Sequence, residues 1–148
     1  MLYLIVYENG GVMEKIRLII VESHRLMREA WQYVLNGDEH IEVVASCAIH
    51  EEAIALCRAE RPDVVLFSIG MNLKNDFATI CHLLHEFPET RIIGMSVNAR
   101  PVLAQTVLSS GAHAFVTKSS SKEEMVKAIL QVCNGGTYIC EEVRELTF

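Results

Sequence analysis

Ile16-Arg17-Leu18-Ile19-Ile20-Val21-Glu22-Ser23-His24 is apolar at every position from 16 to 21 except Arg17, then turns polar at once. An alternating pattern would mark a strand with one wet face. A near-continuous β-branched run marks a strand buried on both faces. Such a strand needs helices on either side of its sheet. The same signature recurs downstream, at residues 41–45, 63–68, 91–96 and 113–117. Helical patterns separate these runs. The first carries the stripe Leu26, Met27, Ala30, Trp31, Val34 and Leu35, with Ser23 as its expected cap and Asn36-Gly37 as its end. The second spans 50–60, with Ala53, Ile54 and Cys57 inward, before Pro62. The third spans 76–87, with Phe77, Ile80, Cys81 and Leu84 on one face, and Pro88 closes it. The fourth starts at Pro101 and ends before Gly111. The fifth opens on Ser121 with Glu124 three residues on, a capping-box pattern, and ends at Gly135-Gly136.

Strands alternating with helices read as βα units in a parallel sheet. Right-handed crossovers place the helices on both faces. The expected fold is α/β: a flavodoxin-like, doubly wound, five-stranded parallel sheet in the order 2-1-3-4-5. Residues 14–137 form the expected domain, 1–13 an N-terminal extension and 138–148 a C-terminal tail.

Composition excludes several classes. A chain of 148 residues suits one domain. It is 51% apolar and 22% charged, a globular balance. Thirteen Lys and Arg against nineteen Asp and Glu give a net charge of −6, with no basic run, so direct nucleic-acid binding is not expected. No apolar run approaches the ~18 residues of a membrane span. Five scattered cysteines without a CxxC pair point to reduced thiols in the cytoplasm. Residues 2–7 are apolar and β-prone and precede Glu8-Asn9-Gly10-Gly11, but no basic region makes them a signal peptide. They read as an extension ahead of Met13, with an added edge strand as the alternative.

In this fold, ligands sit at the carboxyl ends of the strands. The residues expected there are Glu22, Ser23, Ser68, Ser96 and Lys118. The turn after the first strand holds no glycine, which removes Rossmann and P-loop readings. Cys81 and His85 have the i, i+4 spacing of a metal pair. With Cys81 on the apolar stripe and His82 turned to solvent, a core cysteine beside surface histidines is the expected arrangement, and no metal site is assigned.

Four stretches resemble receiver domains of two-component response regulators of the LuxR/NarL type. They are residues 16–24, Arg61-Pro62-Asp63-Val64-Val65-Leu66, Pro88-Glu89-Thr90-Arg91-Ile92-Ile93, and Gly111-Ala112-His113-Ala114-Phe115-Val116-Thr117-Lys118. The resemblance covers about residues 16–140. It implies an acidic pair after the first strand that holds Mg²⁺, and a phosphoacceptor aspartate ending the third. Here Glu22 takes the first acidic position, Ser23 the second, and Ser68 the phosphoacceptor position. Met71-Asn72-Leu73 stands where the family commonly has Met-Pro-Gly. The resemblance also makes Ser96 the hydroxyl residue of strand four, Phe115 the aromatic switch residue and Lys118 the pocket lysine.

Mg²⁺ is held by one or two carboxylates plus water and phosphate oxygens. With Glu22 the one remaining anionic ligand, Mg²⁺ binding is expected to be weak or absent, and no other cofactor is implied. An aspartate can form an acyl phosphate, whereas a serine hydroxyl without a base is a weak nucleophile. Asp76 reads as a helix N-terminal residue rather than a relocated acceptor. Lys118 is expected to pair with Glu22.

The resulting expectation is an atypical receiver, not an enzyme. It would act without phosphorylation as an interaction or dimerisation module in signalling or transcription. A protein partner or a second copy would dock on strand five and its flanking helices, near Ala104, Val107, Phe115 and Met125. The alternatives are a sensor holding a small anion among Lys118, Ser96 and Ser68, and a receiver phosphorylated on Ser68 by unusual chemistry. A DNA-binding output domain would follow the tail in a LuxR-type regulator.

Overall fold

The computed structural model describes residues 14–70 and 72–146, so the N-terminal extension, Met71 and the last two residues lie outside the described residues. The elements follow in the order β1 (Ile16–Val21), α1 (Arg25–Asn36), β2 (Ile41–Cys47), α2 (His50–Glu60), β3 (Val64–Ser68) and α3 (Leu73–Glu86). Then come β4 (Arg91–Ser96), α4 (Pro101–Ser109), β5 (Ala114–Thr117), α5 (Lys122–Cys133), β6 (Tyr138–Ile139) and α6 (Glu141–Glu145). All strand pairs are parallel, in the order β2-β1-β3-β4-β5-β6. The expected α/β architecture and the order of its first five strands are as observed. Leu18, Ile19, Ile20, Val64, Val65, Leu66, Phe67, Ile92 and Ile93 are fully buried, as strands sandwiched between helices require. Helix α1 packs with α5, and α2 with α3.

A short sixth strand extends the expected five-strand core. The sequence pattern marks residues 138–148 as a tail, yet Tyr138 and Ile139 pair with Ala114 and Phe115. The Tyr138 and Cys140 amides donate to the carbonyls of His113 and Phe115, at 3.1 and 3.0 Å. Tyr138, Cys140 and Val143 are buried. Alternating buried positions over so few residues are too short a signal to separate from loop. The pairing also covers the edge of β5. Ala104, Val107, Phe115 and Met125, expected beside a docking surface, are themselves at most 1% exposed.

Local signals decide the helix ends. Pro101 opens α4, and the Ser121 hydroxyl accepts from the Glu124 amide at 3.1 Å. Gly111 follows α4 at φ 109°, a conformation only glycine adopts without strain. Two expectations fail. Ser23 does not cap α1; the N-cap is His24, with no side-chain cap. The Glu22 carboxylate accepts the His24 amide at 2.8 Å and shapes that turn instead. Helix α3 begins at Leu73, because Asn72 caps it by accepting from the Asn75 amide at 3.2 Å. Its inward residues are Asp76, Thr79, Ile80 and Leu83. Cys81 is exposed, not on the apolar face, because the inward face is rotated from the expected one. His82 pairs with Glu86 at 3.0 Å. No group of three or more metal-ligating side chains is found among the described residues, and none of their helices is long and apolar enough to cross a membrane.

His113 precedes β5, and its Nδ1 accepts the Ile92 amide at 3.0 Å. That bond requires Nδ1 to be unprotonated, and burial, with Arg91 nearby, holds the imidazole below its ordinary value. As pH falls below about 6.5 the unfolded chain takes this proton first, so stability is lost toward acid. An asparagine can accept the same amide without titrating. His113→Asn is therefore expected to flatten the decline of thermal stability between neutral pH and pH ~5.5, relative to the unmodified chain.

Candidate functional site

The carboxyl ends of β1, β3 and β5 converge on one concavity of about 360 Å³. Glu22, Ser23, Ser68 and Lys118 line it together, as the sequence reading expects. Glu22 follows β1, where its amide donates to the Cys47 carbonyl of β2 at 2.9 Å. Lys118 follows β5, held through its amide by the Ser96 carbonyl at 2.8 Å. These backbone anchors bring two opposite charges together beneath the surface. Lys118 Nζ lies 2.7 Å from Glu22 Oε1, with the Lys118 side chain 9% exposed and the Glu22 side chain fully enclosed.

The second Glu22 oxygen is also engaged. Oε2 accepts the His24 amide at 2.8 Å and lies 3.1 Å from His24 Nδ1. Arg28 reinforces the turn by donating to the Glu22 carbonyl at 2.7 Å. Burial alone would raise the Glu22 carboxyl, but Lys118 and the His24 amide outweigh it and hold it below the ordinary value. Its stabilising share is thus present above pH ~4.5 and lost as pH falls through the lowered value.

The other expected residues divide. Ser68 ends β3, half-buried at the cavity, and Ser23 is exposed at its mouth. Ser96 is buried and does not line the cavity; its Oγ accepts the Asn98 amide at 3.0 Å. Phe115 is fully buried within β5. Of the three residues named for an anion site, Lys118 and Ser68 line the cavity and Ser96 does not.

Two further cavity residues escape the sequence reading as site residues. His50, at the start of α2, lies with Nε2 3.1 Å from Asp76 Oδ1. Asp76 Oδ2 accepts the Gly70 amide at 3.0 Å, which ties the turn after β3 to α3. Burial raises the Asp76 carboxyl, an effect only partly offset by that amide and by His50. The His50 ring packs on Phe67, 4.7 Å between centroids. Serine, histidine and aspartate thus share a cavity, but not as a hydrolytic triad. The second imidazole nitrogen, Nδ1, faces Asn75 Nδ2 at 3.0 Å and Thr79 Oγ1 at 3.4 Å. The helical spacing of Asp76 is visible in the sequence; its pairing with a histidine twenty-six positions earlier is not.

This arrangement bears on the divalent cation implied by the family. At the end of β1, Glu22 Oε2 accepts the His24 amide, while Oε1 lies 2.7 Å from Lys118 Nζ as a charge contact without aligned hydrogen-bond geometry. The second acidic position carries a hydroxyl, as does the end of β3. The carboxylates lining the cavity are Glu22, Glu51 and Asp76, with Glu22 facing Lys118 and Asp76 facing His50.

The family model described as "Response regulator receiver domain" matches residues 18–130. The chain belongs to the response regulator receiver family. Among curated relatives, this receiver is 29% identical over 129 residues to the transcriptional regulatory protein DegU of Brevibacillus brevis, covering 87% of this chain and 55% of that one. It is 30% identical to MctR of Rhizobium johnstonii over 130 residues, covering 87% and 60%. The receiver thus spans less than two thirds of these relatives' length. Among solved structures, the NarL receiver domain of Mycobacterium tuberculosis matches with a TM-score of 0.74 at 29% identity, covering 82% of this chain and 98% of that one. A LuxR-family regulator from Aurantimonas sp. SI85-9A1 shares the fold with a TM-score of 0.82 at 24% identity, covering 89% and 94%.

The Glu22–Lys118 pair sets a clear stability expectation. Lys118→Met leaves a buried carboxylate without its counter-ion and is expected to cost about 3–5 kcal/mol in chemical denaturation. Adding Glu22→Gln to that variant removes the stranded charge and is expected to recover most of the loss.

Proposed function

We propose that this receiver works without phosphorylation, as a cytoplasmic, non-enzymatic interaction module in two-component signal transduction or transcription regulation. The observation that carries the reading is the double engagement of Glu22, by Lys118 on one oxygen and His24 on the other, beside a serine where the family has its phosphoacceptor. Phosphoryl transfer to a receiver needs a nucleophile and cations around the transferred group. Among the described residues Ser68 has no general base in hydrogen-bond contact, and His50 is turned toward Asp76 and Asn75. Lys118 is already committed to a carboxylate. Mg²⁺ binding is accordingly weak or absent.

The same geometry weighs against an anion sensor. The acidic residues lining the cavity besides Glu22 are Glu51 and Asp76, and the cavity's lysine is already paired. Signalling then passes through protein contacts, to a partner or a second copy. RcsB, which shares the fold at 20% identity, is described as dimers bound to DNA. In this receiver's case the contact with nucleic acid would belong to a separate segment, since the chain is acidic overall at −6.

The test is incubation with acetyl phosphate and Mg²⁺, followed by intact-mass spectrometry. No phosphoryl adduct is expected. An adduct mapped to Ser68 would overturn the reading. In a parallel titration followed by calorimetry, Mg²⁺ is expected to produce no saturating heat, whereas tight binding would contradict the account of the pocket.

A further inference from the structure

The C-terminal segment is fastened to the body by side chains as well as by its strand pairing. Glu142 Oε1 accepts from Thr117 Oγ1 at 2.8 Å and from Ser119 Oγ at 3.2 Å. Glu124 Oε2, on α5, accepts from the Tyr138 hydroxyl at 2.9 Å and from the Glu141 amide at 2.6 Å. The Arg144 guanidinium lies over the Tyr138 ring, 5.6 Å from its centre. Val143 is buried, and α6 packs against α4. Only two residues form the strand, so these side-chain bonds supply much of the hold.

The fastening point is next to the pocket. Thr117 and Lys118 are consecutive at the end of β5. The Lys118 side chain reaches Glu22, and the Thr117 side chain reaches Glu142. Thr117 is 1% exposed, so its hydroxyl has no easy exchange with water. Ser119 and Ser120 lie in the same turn, with both hydroxyls within 3.3 Å of Thr117 Oγ1. A tether on Lys118 therefore fixes the turn that presents the donors to Glu142.

We propose that residues 138–146 are a releasable strap, latched by Glu142 and clamped through Thr117 and Lys118 by the Glu22–Lys118 pair. Its release is the conformational step by which this receiver exposes the edge of β5 and the flank of α4. This rests on the reading that the pocket is occupied by an internal ion pair rather than by a phosphoryl group. Coupling of this kind is reciprocal: loosening the pocket loosens the strap, and displacing the strap loosens the pocket. Gly135 and Gly136 separate α5 from the strap; Gly135 at φ 87° ends the helix, and the Gly135 and Gly136 amides donate to the Val132 and Gln131 carbonyls at 3.0 Å each, so the strap departs from a fixed cap.

Hydrogen–deuterium exchange of the full chain, without any phosphodonor, tests this. Glu142→Gln removes the charged acceptor of the latch. Exchange in peptides covering 138–146 is expected to rise about tenfold or more, the scale of losing a hydrogen bond to a charged group. The double variant Glu22→Gln with Lys118→Met removes the clamp without stranding a charge, and it is expected to raise exchange in the same peptides though it touches none of them. Peptides covering 16–21 and 64–68 report that the body stays folded, and their exchange is expected to remain slow in both variants. The proposal is overturned if the strap in Glu142→Gln exchanges no faster than in the unmodified chain. It is also overturned if Glu142→Gln frees the strap while the pocket variant leaves it as protected as in the unmodified chain. Because the readout contains no phosphoryl transfer, a Ser68 adduct would defeat the reading of the pocket and leave this result standing.

Discussion

A single enclosed ion pair organises the carboxyl end of the sheet. Glu22 leaves β1, Lys118 leaves β5, and two strands lie between them in the sheet order. At 2.7 Å, with the carboxylate fully enclosed, their contact ties the end of β1 to the end of β5. A buried pair of this kind adds little net stability compared with apolar packing, but losing one member is costly. Its role is to specify one arrangement. The His24 bonds on the second oxygen complete that specification and shape the turn into α1.

Charge at this end of the sheet is balanced within the protein. A receiver pocket with several acidic groups concentrates like charge that a metal must neutralise. Here hydroxyls stand at positions 23 and 68, so one lysine balances one carboxylate within the protein. Asp76 restores a carboxylate to the cavity wall, but it is spent on Gly70 and His50, joining the turn after β3 to α2 and α3. The cavity is held by internal contacts on both sides.

Much of this is legible in the sequence. The five long strands are readable because burial on both faces leaves continuous β-branched runs, as in residues 64–67. Their order and the gathering of Glu22, Ser68 and Lys118 follow from the fold. The Lys118–Glu22 pairing follows from charge counting. What escapes is decided by contacts between distant residues. Tyr138 and Val143 are anchored by β5 and α4, and no periodicity of so short a segment reports that. Cys81 is misplaced by the sequence pattern because the buried face of α3 runs through Asp76, Thr79, Ile80 and Leu83, and an apolar stripe does not mark its two polar members. His50 is an ordinary first residue of a helix until the fold sets Asp76 beside it.

The most direct test of the central claim follows the Glu22 side-chain carboxyl carbon by NMR across an acid titration, with and without millimolar Mg²⁺. The account predicts titration below the ordinary carboxylate value of 4.5 and no change of its resonance on adding the metal. A carboxyl titrating at or above that value, or a resonance that moves with Mg²⁺, would mean that Glu22 is free to serve a metal and that the internal pair does not govern the pocket.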